Sequence, residues 1–425
     1  MKTIFVSNTF RDFQQERDGE LALDHLNKAR NIADDMTAMS NTWDSASICL
    51  ELGDKERIIL AASHRDLACI NLVNNNSNFS LALQELHLAL NILDQVEELD
   101  ETVYRLQHDI CSLGIHAAEQ LSADKGLEDP ETLFFSCQDL SVLRYITEHW
   151  GSETDWQELN LSAYQLGKFY KEQNNTVQSI EMLKLEAYSG EKLLTLAINN
   201  SEAQNNLSEL IDEQSDTCYR TAQMLRNIGT QEALTDALSY SLRDVNLSER
   251  LHKEGDIKTT RNLALSLRQQ GRILAALKDE AHILEAVDVF KHELSLRKLL
   301  SQESPSPNTW ANEELCCYLL IGVYQKLGGT EHLNLARDYI DYDLALGEKI
   351  LLEEPTVRHK RDLCSSLIRA RQIEEAVGSV DALHKAITLQ KKVLALRQEI
   401  FEDEASEKHQ NELANALKVT QRLGI

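Results

Sequence analysis

Apolar residues recur along this chain at steps of three and four, and the alternation by two that marks a strand is almost absent after residue 20. Such steps stack side chains on one stripe of an α-helix. Leu263, Leu267 and Gly271, four apart, predict one helix, called here helix A, whose glycine lets a neighbouring backbone come close. Ala286, Phe290 and Leu294 predict a second, helix B. An alanine followed by a large residue four positions on suits a crossing helix, because the first makes room and the second fills the next groove. Together the two helices form a hairpin.

Both landmarks return. The helix A leucine recurs at Leu67, Leu106, Leu159, Leu207, Leu263, Leu315, Leu363 and Leu413, at spacings of 39, 53, 48, 56, 52, 48 and 50 residues. Helix B recurs at Ile180, Ala237, Ala336 and Ala386, the last two each 27 residues before the next helix A leucine. The body is therefore expected to be all α, a solenoid of antiparallel helix pairs in which each unit hides its apolar face against its neighbours. Two copies look degenerate. Leu315 to Gly322 is one residue shorter than Leu263 to Gly271, and the unit after Leu207 lacks the glycine at the matching place on helix A.

The pattern resembles the tetratricopeptide repeat, most closely the lengthened form carrying the phrase Arg-Asp-Leu-x-x-Ser-Leu in many bacterial signalling and defence proteins. Arg361-Asp362-Leu363-Cys364-Ser365-Ser366-Leu367 matches that phrase. The standard unit is about 34 residues, so each hairpin here carries extra turns. The resemblance implies a right-handed superhelix whose concave surface, lined by helix A, binds protein or peptide partners.

Three regions are expected. Residues 61–425 form about seven hairpins of roughly fifty residues, closed by a single capping helix after Leu413. Residues 19–60 form an irregular helical cap. Residues 1–18 read as a short strand, Ile4 to Val6, a polar turn at Ser7-Asn8-Thr9 and the start of a charged helix. Residues 3–18 resemble the opening of an uncharacterised domain found at the head of bacterial and animal proteins with NACHT-type ATPases and repeats. No further strands follow, so the stretch reads as a remnant of that domain, the alternative being a strand donated to a partner's sheet edge.

Composition narrows the function. A formal net charge of −26 and no basic cluster argue against nucleic acid. No run approaches membrane-spanning length, and eight cysteines without a Cys-x-x-Cys pair suit free thiols in a reducing cytoplasm. The phosphate-binding loop of ATPases, the Gly-x-Ser-x-Gly elbow and the His-Glu-x-x-His helix are all missing. His108 and Cys111 have ligand-like spacing on one helix, but two further metal ligands are lacking nearby. No catalytic, cofactor or metal residues are expected.

With positions 0, +4 and +8 of helix A turned toward helix B, positions near +2, +5, +6 and +9 face the other way. They hold Tyr164, Gln165 and Lys168; Arg268, Gln269 and Arg272; Arg369 and Gln372; and Lys418 and Arg422. Basic and amide groups recur there, which suits an acidic peptide segment or a C-terminal carboxylate held by two-pronged arginine hydrogen bonds. The leading expectation is a non-enzymatic scaffold or adaptor with a protein or peptide partner. The alternatives are a sensor that changes curvature on binding a short peptide or small signal, and an enzyme using Ser7, Thr9, Arg11 and Asp12.

Overall fold

The computed structural model describes residues 53–73, 78–122, 125–200 and 206–424. The remnant read at residues 1–18, and the cap as far as residue 52, lie outside them. The chain divides into two compact units, Met1–Leu196 and Ala197–Ile425. Among the described residues there is no strand.

In the first unit the helices are α1 (Asp54–Val73), α2 (Phe79–Leu93), α3 (Glu101–Leu121), α4 (Pro130–His149), α5 (Glu153–Glu172) and α6 (Thr176–Asn199), the last running three residues past the unit's end. They pair as hairpins α1–α2, α3–α4 and α5–α6, the third tied by Asn160, which donates to the Glu186 carbonyl at 2.8 Å and to Ser189 Oγ at 2.9 Å. Because α1 starts at Asp54, residues 54–60 belong to the first helix A and not to a separate cap. Of the bulky residues at 134, 135, 145 and 150, Phe135 is fully buried while Phe134, Tyr145 and Trp150 are exposed.

The second unit contains α7 (Leu207–Ile228), α8 (Gln231–Leu251), α9 (Ile257–Leu277), α10 (Glu280–Glu303), α11 (Pro307–Leu327), α12 (Gly329–Glu353), α13 (Val357–Val377), α14 (Val380–Asp403) and α15 (Glu407–Arg422). Four hairpins are followed by a single helix, and each helix packs on the next. Asp256, Ser306, Thr356 and Ser406 stand fifty residues apart, and each accepts a hydrogen bond from a backbone N–H of the first turn of a helix A. Caps of this kind are worth about 1 kcal/mol each. Within Ser304-Pro305-Ser306-Pro307, Ser306 is the cap and Pro307 takes the first helical position, where a missing N–H does no harm.

The helix B landmark holds. Ala237, Ala286, Ala336 and Ala386 are all fully buried, at the same place in α8, α10, α12 and α14. The helix A landmark needs two corrections. Fifty residues after Leu263 and fifty before Leu363 stands Glu313, which is buried, whereas Leu315 is only half-buried. The spacings of 52 and 48 are thus two even steps around a misplaced centre. Ser301 Oγ donates to Glu313 Oε2 at 2.6 Å, and the Tyr342 hydroxyl donates to Oε1, so an acid can occupy an apolar position. In α7 the buried line runs Ile211, Gln214, Ser215, Cys218, Ala222 and Leu225, while Leu207 lies at the helix start. That copy looks weak because polar side chains fill its core positions.

Two glycines of helix A, Gly114 and Gly271, make room for a ring and not for a backbone. A Cβ on Gly271 would lie 2.7 Å from the Phe290 ring, and one on Gly114 would lie 2.3 Å from Phe135. Each phenylalanine comes from helix B of the same hairpin and is buried across the crossing.

Candidate functional site

Of the positions read as an outward, partner-facing set on helix A, Arg268, Gln269, Arg369 and Arg422 are bonded within the chain. Arg268 is buried; its Nε donates to Glu293 Oε1 at 2.7 Å, and Nη1 and Nη2 donate to Oδ1 and the carbonyl of Asn312 in the next helix A. Arg369 reaches back from α13, donating to the Tyr318 carbonyl at 2.5 Å and lying 3.5 Å over that ring. Gly322 makes this possible, since a Cβ there would meet the Arg369 guanidinium at 2.4 Å. Arg422 reaches back from α15 to both carboxylate oxygens of Glu375 at 2.9 Å. Lys326 donates to the Ala275 carbonyl at 2.9 Å. Apart from the bond to Glu293 in helix B, each joins one helix A to the next, across 44 to 51 residues of sequence.

The same device appears in the first unit, where Arg65 Nη1 meets Asp109 Oδ2 at 3.1 Å and Arg105 holds both oxygens of Asp155. Recurrence of basic groups on this face therefore partly reports how the hairpins are fastened together. The opposite-face reading failed for Arg268 and Gln269 because neighbouring hairpins bury helix A on more than one side. Tyr164, Gln165 and Lys168 are exposed on α5, as are Gln372 on α13 and Lys418 on α15.

Around Arg272 the cations are in excess. Gln269 is 3% exposed; its Oε1 accepts from Arg226 Nη1 of α7 at 2.8 Å, and its Nε2 has no acceptor. Arg272, one turn further along α9, is half-buried and has no hydrogen-bond or ion-pair partner. Burial, then repulsion from Arg226 and Arg268, pushes its guanidinium below the usual arginine range, with Glu293 opposing. Glu293 is already shared, since Arg268 Nε and Arg297 Nε both donate to its Oε1, at 2.7 and 3.1 Å. Arg268, Gln269 and Arg272 are thus brought together. Arg226 joins them from outside the predicted set, and no spacing in the sequence pointed to it.

His108 has a different role from a ligand. Its Nδ1 lies 2.6 Å from Asp139 Oδ1 and its Nε2 3.1 Å from Glu158 Oε2. Burial opposes its charge, but the hydrogen bonds to Asp139 and Glu158 prevail and push the imidazole up to about 10. An imidazolium donating at both nitrogens has no lone pair for a metal. Among the described residues no three His, Cys, Asp or Glu side chains are grouped to hold one. The described cysteines are unbridged, and burial pushes the Cys69 and Cys364 thiols up to about 11. No described helix is long and apolar enough to cross a membrane.

No family model and no curated protein matches the chain. Several solved structures do. A de novo designed helical repeat protein is 15% identical, covering 51% of this chain and 96% of its own, with a TM-score of 0.28. The Nro1 nuclear import adaptor of S. pombe is 10% identical, covering 85% and 99%, with a TM-score of 0.28. A Rap protein complexed with competence and sporulation factor is 11% identical, covering 87% and 98%, with a TM-score of 0.31. Likenesses this distant add nothing to what the repeat itself shows.

Proposed function

We propose that the chain is a non-enzymatic scaffold of the tetratricopeptide-repeat kind, which holds a protein or peptide partner along the solvent side of its A helices, in a bacterial signalling or defence assembly. The observation that carries this reading is the fifty-residue register of the second unit. It sets α9, α11 and α13 side by side with equivalent faces and fastens each to the next through Arg268, Lys326 and Arg369. A surface built from the same place in successive hairpins is extended and stepped, which suits a chain segment better than a small molecule.

The test is affinity capture from the native host, followed by reconstitution of the purified pair. A protein that forms a complex of fixed stoichiometry with the purified chain is the expected outcome. If no captured protein binds the purified chain, or if the chain alone turns over a small molecule, the proposal is wrong.

A further inference from the structure

We propose that Arg226, Gln269 and Arg272 form a binding site for an oxyanion, the carboxylate of an acidic peptide segment; this rests on the partner-binding reading and names the chemistry of the partner. Three observations converge on it. Arg272 is a half-buried cation with no ion-pair or hydrogen-bond partner, in a chain whose net charge is −26. Gln269 is 97% buried, with Oε1 committed to Arg226 and Nε2 left without an acceptor. Arg226 has only neutral acceptors, Gln269 Oε1 at 2.8 Å and Asn227 Oδ1 at 3.4 Å.

The donors therefore outnumber the acceptors. Arg226, Arg268 and Glu293 all act on the Arg272 charge, but Glu293 receives Arg268 and Arg297 on its Oε1, and its buried Oε2 takes no hydrogen bond from Arg272 or any other group. A buried amide N–H without an acceptor carries an unmet desolvation penalty. A desolvated guanidinium beside two others carries a repulsive one. One oxyanion accepting from Arg272, and from Gln269 Nε2 or Arg226, relieves both at once, in the planar two-pronged geometry for which guanidinium is suited. Exposed surface lysines and arginines bind anions weakly by comparison, because water screens them.

The site differs in one respect from the cations that fasten one A helix to the next. Arg268, Lys326, Arg369 and Arg422 each have an acceptor supplied by the chain, and their removal loosens the stack. Arg272 holds nothing together. Its removal leaves the fold intact.

The experiment uses the full chain and two probes. One is a short Gly-Ser peptide ending in Glu-Asp with a free C-terminus, compared with the same peptide ending in Lys-Lys amide; the other is inorganic phosphate. Binding is read by thermal shift and calorimetry at millimolar probe, for the native chain, Arg272→Gln, Arg226→Gln and Arg422→Gln. The acidic peptide is expected to bind and the basic one not, with affinity falling about tenfold or more in Arg272→Gln and Arg226→Gln, unchanged in Arg422→Gln, and weakening with salt. Binding of phosphate with the same variant pattern, and not of the peptide, keeps the oxyanion site and overturns its peptide source. If neither probe binds the native chain, or both bind Arg272→Gln as well as the native chain, the oxyanion site is overturned. The unliganded melting point of Arg272→Gln confirms folding. A stoichiometric partner complex that survives Arg272→Gln overturns this site alone, while absence of any partner overturns the broader reading.

Discussion

Glu293 and Asp343 stand fifty residues apart at the same place in successive B helices, both buried, and their charges are met in opposite ways. Glu293 receives Arg268 and Arg297. At the two matching positions around Asp343 the chain has Tyr318 and Gly347, so both cations are gone. A second acid, Glu314, has also been added where α9 has Ala264. The missing side chain of Gly347 gives it space, since a Cβ there would lie 2.8 Å from Glu314 Oε1. One repeat position thus holds an ion-paired carboxylate in one hairpin and a pair of buried acids in the next.

The acid pair makes the second unit pH-sensitive. Burial, then the charges of Asp343 and Asp362, raise Glu314 to about 8, against a small pull from Ser366. Burial raises Asp343 to about 7, with Ser366 and Arg369 opposing. Both folded values exceed the ordinary carboxylate range, so the folded unit keeps protons that the unfolded chain releases. Stability from these groups is present in full near pH 4 and is lost as pH rises toward 8. Glu314→Gln cannot ionise. It is expected to melt higher than the native chain at pH 8 and to lose that advantage by pH 5, in parallel thermal scans. A difference that does not vary between those pH values would count against protonation of the buried acids as its cause.

His108 gives the first unit a dependence with another cause. Its imidazole is held near 10 by Asp139 and Glu158, so its contribution is complete below about pH 6.5 and fades as pH climbs toward 10. His108→Ala leaves Asp139, 5% exposed, without its counter-ion. A loss of about 3–5 kcal/mol is expected in urea unfolding. Arg144→Ala removes an exposed pair with Glu148 on one helix and is expected to cost under about 0.5 kcal/mol. Equal costs for the two would show that burial does not set the value of the His108 network.

Gly271→Ala drives a methyl into the Phe290 ring, which is 1% exposed and has little room to turn away. Overpacking of this kind costs about 1–3 kcal/mol. Gly255→Ala tests another property, because that residue has φ +81° and open space around it. Its cost comes from backbone strain alone, about 1–2 kcal/mol. Replacing Phe290 by Leu in the Gly271→Ala background is expected to recover part of the loss, while Phe290→Leu does nothing for Gly255→Ala. Chemical denaturation of the four variants checks both statements.

Much of this fold was legible in the chain. Buried alanines at 286, 336 and 386 keep even fifty-residue steps where the helix A leucines only approximate them, since alanine at a crossing is set by sterics and leaves a regular trace. Helix A was harder to register. Glu313 and Gln214 occupy buried positions and draw their hydrogen bonds from other helices or other turns, so hydropathy placed the centre at Leu315 and Leu207 instead. The partners of Arg268 and Arg369 were invisible for a related reason. They lie 44 and 51 residues away, and only the stacking register brings them within reach. Arg226 left no trace, because its role depends on an amide in the following hairpin.

Partners held along the A helices would shield those helices from solvent. Hydrogen exchange of the full chain, alone and in the reconstituted complex, reads this most directly. The account predicts added protection in α7, α9, α11 and α13 near Arg226, Arg272 and Gln372, with α8, α10, α12 and α14 little changed. Protection confined to those B helices, or none anywhere in a complex that does form, would contradict it.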